Sequence, residues 1–139
     1  MNRELSPAYD EEARRLLEEV GLEDKIERCL GDIAVDGTGV TPADVVVLHR
    51  VVCCYPDYDR LLTAAAEHAK RLVVFSYPPR ERNLPSRCDS QNLVFKLRRK
   101  EFRTFAHPPN AMLAVFESHG FRRALDRHGF VWQVAGLER

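Results

Sequence analysis

His49 and Arg50 stand where an apolar run, ADVVVL, meets polar residues. A second apolar run, LVVFS, closes at Tyr77-Pro78, and the Ala-rich stretch 58–69 lies between the two. This order predicts a strand–helix–strand unit, the crossover that joins parallel strands. In open parallel sheets, ligands bind outside the carboxyl ends of such strands. A guanidinium there can hold a carboxylate through paired charge-assisted hydrogen bonds. An imidazole beside it can assist deprotonation of a nucleophile. His49 and Arg50 are therefore the candidate catalytic residues, with Arg50 also a substrate anchor. The alternative is a strand-end pair making structural hydrogen bonds, and no partner motif in the sequence orients His49 as a base.

Other chemistries have less to stand on. Cys29, Cys53, Cys54 and Cys88 show neither zinc-type spacing nor a disulfide framework. Cys53 and Cys54 are adjacent, which in a strand would send them to opposite faces, and they are expected to be reduced, small and buried. A dinucleotide-binding reading needs a G-x-G-x-x-G turn, and the chain has none. The 21 basic and 21 acidic residues cancel, so there is no global electrostatic case for nucleic acid or an anionic membrane. The opening residues, MNRELSPAYDEE, are polar and acidic, unlike a signal peptide. No apolar run is long enough to span a bilayer. A cytoplasmic protein acting on a small molecule, without nucleic acid or membrane partners, is the expectation.

The remaining elements follow from local signals. Ser6-Pro7, with Asp10, Glu11 and Glu12 behind it, predicts a helix start, and Gly21 its end. Residues 25–30 alternate as a short strand ending at Gly31-Asp32. Residues 36–42 carry Gly37, Gly39 and Pro42 and read as a loop. A buried Val-rich strand is expected over 44–52 and another over 72–76. Residues 78–85 read as a breaker-rich loop, and 91–105 as a basic amphipathic lid helix with an apolar underside. A helix over 111–119 and an antiparallel hairpin turning near His128-Gly129 complete the chain. Trp132 in that hairpin is expected to pack in the core. One α/β domain spanning 1–139, with a lid-like segment at about 78–106, accommodates all of this.

Taken together, Glu4-Leu5-Ser6-Pro7 before the first helix, Gly31-Asp32 after a strand, DVVVLHRVVCCYPD, and the terminal GF…WQVA hairpin resemble a class I S-adenosylmethionine-dependent methyltransferase. The middle piece is similar to methyltransferases of the magnesium-protoporphyrin type. The resemblance implies an incomplete Rossmann-like sheet, mostly parallel, with a C-terminal antiparallel hairpin. It covers nearly the whole chain but only the latter two-thirds of the family pattern. The family's first strand and its Gly-rich cofactor loop have no counterpart here, so a truncated or fragment form is expected.

The resemblance also implies roles. Glu4 would bind the two ribose hydroxyls of S-adenosylmethionine, Asp32 the adenine amino group, and Ile33 the adenine ring. Tyr77 and residues 80–87 would face the substrate. Binding by this chain alone is expected to be weak or absent. A complementary N-terminal chain or self-association would supply what the pattern lacks. The competing reading is a non-catalytic methyltransferase-like remnant acting as a pairing or regulatory module.

Overall fold

The computed structural model describes residues 1–79 and 87–139. Two compact units make up the chain, Met1–Val40 and Thr41–Arg139, and each has its own sheet. Among the described residues, no helix is long and apolar enough to cross a membrane.

In the first unit, β1 (Asn2–Glu4) pairs in parallel with β2 (Arg28–Leu30), placing Glu4 opposite Leu30. The crossover between them is α1 (Asp10–Glu19). Ser6 does cap, as expected, but a 3-10 turn over Pro7–Tyr9 precedes α1, and Ser6 Oγ accepts from Ala8 N–H at 3.3 Å. Asp10, Glu11 and Glu12 then fill the first turn of α1, where carboxylates complement the helix dipole. Asp10 also ties α1 to β2. Its Oδ1 accepts from Arg28 Nε at 3.3 Å and Nη2 at 3.2 Å, and its Oδ2 from Arg14 Nη2 at 2.7 Å. Gly21 follows α1 with φ 66°, a conformation that glycine takes without steric cost.

No residue of this unit is fully buried. Leu16 and Val20, which recur on one face of α1, remain 57% and 56% exposed. One helix and two three-residue strands offer too little surface to enclose a core of their own.

The second unit contains β3 (Ala43–Leu48), α2 (Tyr58–His68), β4 (Ala69–Tyr77), α3 (Arg87–Leu97), α4 (Pro109–Ser118), β5 (Arg122–His128) and β6 (Gln133–Glu138). The strand order is β3-β4-β6-β5. β3 and β4 are parallel, joined by α2 as expected, while β6 is antiparallel to both β4 and β5. Asp57 caps α2 through its Oδ1, which accepts from Arg60 N–H at 3.2 Å, and Leu61, Leu62, Ala64, Ala65 and Ala66 form its buried face. Phe75, Phe116, Phe121, Leu62, Met112 and Leu137 are the large side chains of the core. Phe116 touches Phe75 at 5.3 Å and Phe121 at 6.2 Å between ring centres. The terminal hairpin turns at Gly129, whose N–H donates to Trp132 O at 3.0 Å. A Cβ at Gly129 would lie 2.5 Å from that oxygen, so only glycine fits the turn.

Three expectations need correction. The strand expected over 44–52 stops at Leu48, and it is not a buried strand: Val45 and Val47 are 48% and 62% exposed. The reason is alternation on an edge strand: Val46 and Leu48 are the better-buried side chains of β3, while Val45 and Val47 point to the opposite face, and β3 is also the edge of its sheet. Cys53 and Cys54 lie not in a strand but in a 3-10 turn, Val52–Cys54, and Cys54 is exposed. Finally, the basic segment is helical only to Leu97, where Arg99 takes φ 54° and Lys100 N–H closes the helix end on Phe95 O at 2.9 Å. Its apolar underside is only partly covered: Phe95 and Phe105 are half-buried, while Leu93 and Leu97 are 60% and 75% exposed. Residues 80–86 of the expected lid lie outside the described residues.

Candidate functional site

In the first unit, the parallel pairing of β1 and β2 brings their carboxyl ends side by side. Gly31 N–H donates to Glu4 O at 3.0 Å, closing the pair where Gly31-Asp32 leaves the strand. Glu4 Oε1 accepts from Leu5 N–H at 2.9 Å and Ser6 N–H at 3.3 Å. These bonds orient the carboxylate, and among the described residues Oε2 has no protein partner. Such an oxygen is free to accept from a ligand hydroxyl. Asp32 forms an Asx turn, with Oδ1 accepting from Ala34 N–H at 2.8 Å and its carbonyl accepting from Val35 and Asp36. Ile33 is half-buried in that turn.

Two further observations bear on whether an adenosine group fits here. Gly31 has φ 152°, and a Cβ there would lie 3.0 Å from Arg3 Nη2, so the Arg3 guanidinium packs against a bare backbone. Arg3 Nε is buried without a hydrogen-bond partner. The unshared Glu4 oxygen and the turn with half-buried Ile33 lie at neighbouring strand ends, a hydrogen-bond acceptor beside a small apolar surface, whereas Arg3 Nε is fully buried and not presented to a ligand. An acceptor and an apolar surface are what the adenosine half of S-adenosylmethionine would need. Among the described residues there is no Gly-rich strand-to-helix turn to receive the methionine half.

In the second unit, the end of β3 is organised by a residue that sequence reasoning missed. Ser76 is 2% exposed, and its Oγ accepts from Arg50 N–H at 2.8 Å. The same oxygen lies 3.2 Å from His49 Nδ1. If the serine hydrogen goes to Nδ1, the neutral imidazole carries its proton on Nε2 and can only donate there. A base role for His49 uses the other tautomer, with Nδ1–H donated to Ser76 Oγ. The second lone pair of that oxygen can accept it.

Arg50 itself has φ 57°, a left-handed conformation that costs a non-glycine residue about 1–2 kcal/mol. Its guanidinium sits 5.1 Å from the centre of the Trp132 ring. Trp132 is thus half-buried beside Arg50 rather than a plain core residue. The signals for both missed residues were present but faint: a polar residue inside LVVFS, and a lone Trp just past a hairpin turn.

Tyr77 closes β4 and is 3% exposed. Its ring stacks on Phe75 at 5.2 Å, and burial pushes its hydroxyl above the usual tyrosine range. Next to α3, Asn92 holds the following segment through paired bonds with Thr104, at 2.7 Å to its carbonyl and 2.8 Å from its N–H. Lys96, Arg99, Lys100 and Arg103 line a shallow groove of about 550 Å³ there.

No family model matches the sequence, and no curated protein matches it. Solved structures do match. Magnesium protoporphyrin IX methyltransferase from Synechocystis PCC 6803, with bound SAH, superposes with TM-score 0.71 at 17% identity, over 99% of this chain and 62% of that one. An O-methyltransferase family protein from Burkholderia thailandensis gives TM-score 0.76 at 17% identity, over 96% and 41% of the two chains. An O-methyltransferase family 2 protein from Planctomyces limnophilus DSM 3776, in complex with apigenin, gives 0.73 at 17% identity, over 95% and 40%. The chain therefore spans less than two-thirds of the length of these structures. It has the α/β fold of the class I S-adenosylmethionine methyltransferases over part of their extent.

Proposed function

We propose that this chain is part of a S-adenosylmethionine-dependent methyltransferase that acts on a small molecule. The observation that carries the reading is the pair of strand ends at Glu4 and Gly31-Asp32, set in a chain that superposes almost entirely on methyltransferases. Glu4 would accept from the ribose hydroxyls, Asp32 would accept from the adenine amino group, and Ile33 would pack on the ring. When bound, the cofactor supplies an electrophilic methyl group on a sulfonium. In the second unit, Arg50 would anchor a carboxylate of the acceptor and His49 would take a proton.

The 139-residue chain alone should bind S-adenosylhomocysteine weakly. Two or three hydrogen bonds at a net ~1 kcal/mol each do not offset the ordering costs of binding. Adding a strand and Gly-rich loop, in trans or as an N-terminal extension, should tighten binding into the micromolar range. Titration calorimetry on both forms is the test. Micromolar binding by the chain alone refutes the division of labour, and no binding by any complemented form refutes the cofactor.

The open edge of β3 favours a second reading, a non-catalytic pairing module. Among the described residues β3 pairs on one side only, and such an edge, with Val45 and Val47 exposed beside it, is a template for strand addition. A complemented protein that pairs at β3 yet never binds cofactor would decide for it.

A further inference from the structure

We propose that Cys53 and Cys54 form a vicinal dithiol site that chelates a thiophilic, two-point electrophile of the trivalent-arsenical class. The two sulfurs are 3.7 Å apart, and each lies 3.6 Å from the carbonyl oxygen of Arg50. The 3-10 turn Val52–Cys54 brings them to one side, which an extended strand would not do.

The spacing decides between two fates for such a pair. A disulfide requires sulfurs at ~2.05 Å and prefers Cα atoms ~4.4–6.8 Å apart. Neighbouring residues hold their Cα atoms at only ~3.8 Å across a trans peptide. A pyramidal trivalent centre bonded to two sulfurs at about 2.3 Å, the length of a soft metal–thiolate bond, with an angle of about 90–100° between them, instead holds them about 3.2–3.5 Å apart. At 3.7 Å the pair needs to close by only a few tenths of an ångström to reach the second geometry, against well over an ångström for the first. Among the described residues, no group of three or more His, Cys, Asp or Glu is placed to hold a metal ion. The ligand that fits therefore needs two protein donors and brings its remaining substituent with it.

The two thiols have different parts. Cys54 is exposed, and the hydrogen bond from Cys53 holds it down at about 7, so it supplies the attacking thiolate. Cys53 is buried, and its thiol is pushed well above the ordinary range by the same bond and by burial. It closes the chelate from the protein side. The step balances without a redox partner: R–As=O and two thiols give R–As(S)₂ and one water, with two As–S bonds formed and both thiol protons carried off on oxygen.

Phenylarsine oxide is the probe, added to the full chain. One equivalent should bind, two free thiols should disappear, and ethanedithiol should reverse both. Cys54→Ser, an exposed change that leaves the core intact, should weaken binding about a hundredfold or more, the scale of a lost chelate. Cys53→Ala should do the same, while Cys29→Ser and Cys88→Ser should bind as the parent does. Retained tight binding in Cys54→Ser, or loss of binding in Cys88→Ser, overturns the proposal. Since cofactor plays no part in this assay, its outcome is independent of the methyltransferase reading.

Discussion

The guanidinium of Arg50 lies 5.1 Å above the ring of Trp132, so the end of β3 reaches across to the turn of the terminal hairpin. Trp132 is the sole tryptophan, which makes the contact directly observable. Arg50→Ala should shift tryptophan emission and cost about 0.5–1 kcal/mol, the worth of an exposed cation–π pair. Arg50→Gly loses the same contact but relieves a backbone held at φ 57°, a gain of about 1 kcal/mol. Urea denaturation should therefore rank Arg50→Gly above Arg50→Ala. Equal stabilities would mean that the left-handed backbone carries no strain.

Ser76→Ala removes the acceptor of Arg50 N–H, leaving a part-buried donor unpaired. The expected loss is about 1–3 kcal/mol, and Ser76→Thr, which keeps the hydroxyl, should recover part of it. Denaturant midpoints check this. A neutral Ser76→Ala would show that water replaces the serine.

In a complemented protein that binds S-adenosylhomocysteine, Asp32→Ala should weaken binding by about 1–3 kcal/mol. Asp32→Asn separates recognition from folding. It can keep the Oδ1 bond to Ala34 N–H while replacing the second acceptor with a donor. Binding lost in both variants supports the adenine role, whereas loss only in Asp32→Ala assigns Asp32 to the turn. Arg50→Ala in the same protein should leave cofactor affinity nearly unchanged and lower turnover.

Cys54 should alkylate with a pH profile centred at about 7. Its folded pKa lies below that of an ordinary thiol, so the reactive thiolate is present above about pH 7 and is lost as pH falls through that value. Cys53→Ala removes the donor that lowers it, so the iodoacetamide profile should move upward toward the range of a free cysteine. An unchanged profile would show that Cys53 does not tune Cys54.

Much of the architecture was legible from local signals. Residues 58–69 read as a helix through their alanines, and the structure adds the Asp57 cap; His128-Gly129 reads as a turn, and there glycine is sterically required. His49 and Arg50 were placed at a strand end by the boundary between apolar and polar residues. Less legible was anything set by a distant neighbour. Val45 and Val47 look like core residues until β3 proves to be an edge strand covered on one face only. Ser76 and Trp132 acquire their parts only when β4 and the hairpin fold against the end of β3. The adjacent cysteines looked divergent because a strand was assumed, and a single tight turn reverses that conclusion.

The lack of any fully buried residue in Met1–Val40 bears on how affinity here should be read. A segment without its own interior has little burial to offset its chain entropy, and a ligand that seats at Glu4 and Asp32, as proposed, would bind only its folded fraction. Its measured dissociation constant would then be the intrinsic one divided by that fraction. A partner strand that orders these forty residues would sharpen binding without touching the ligand at all.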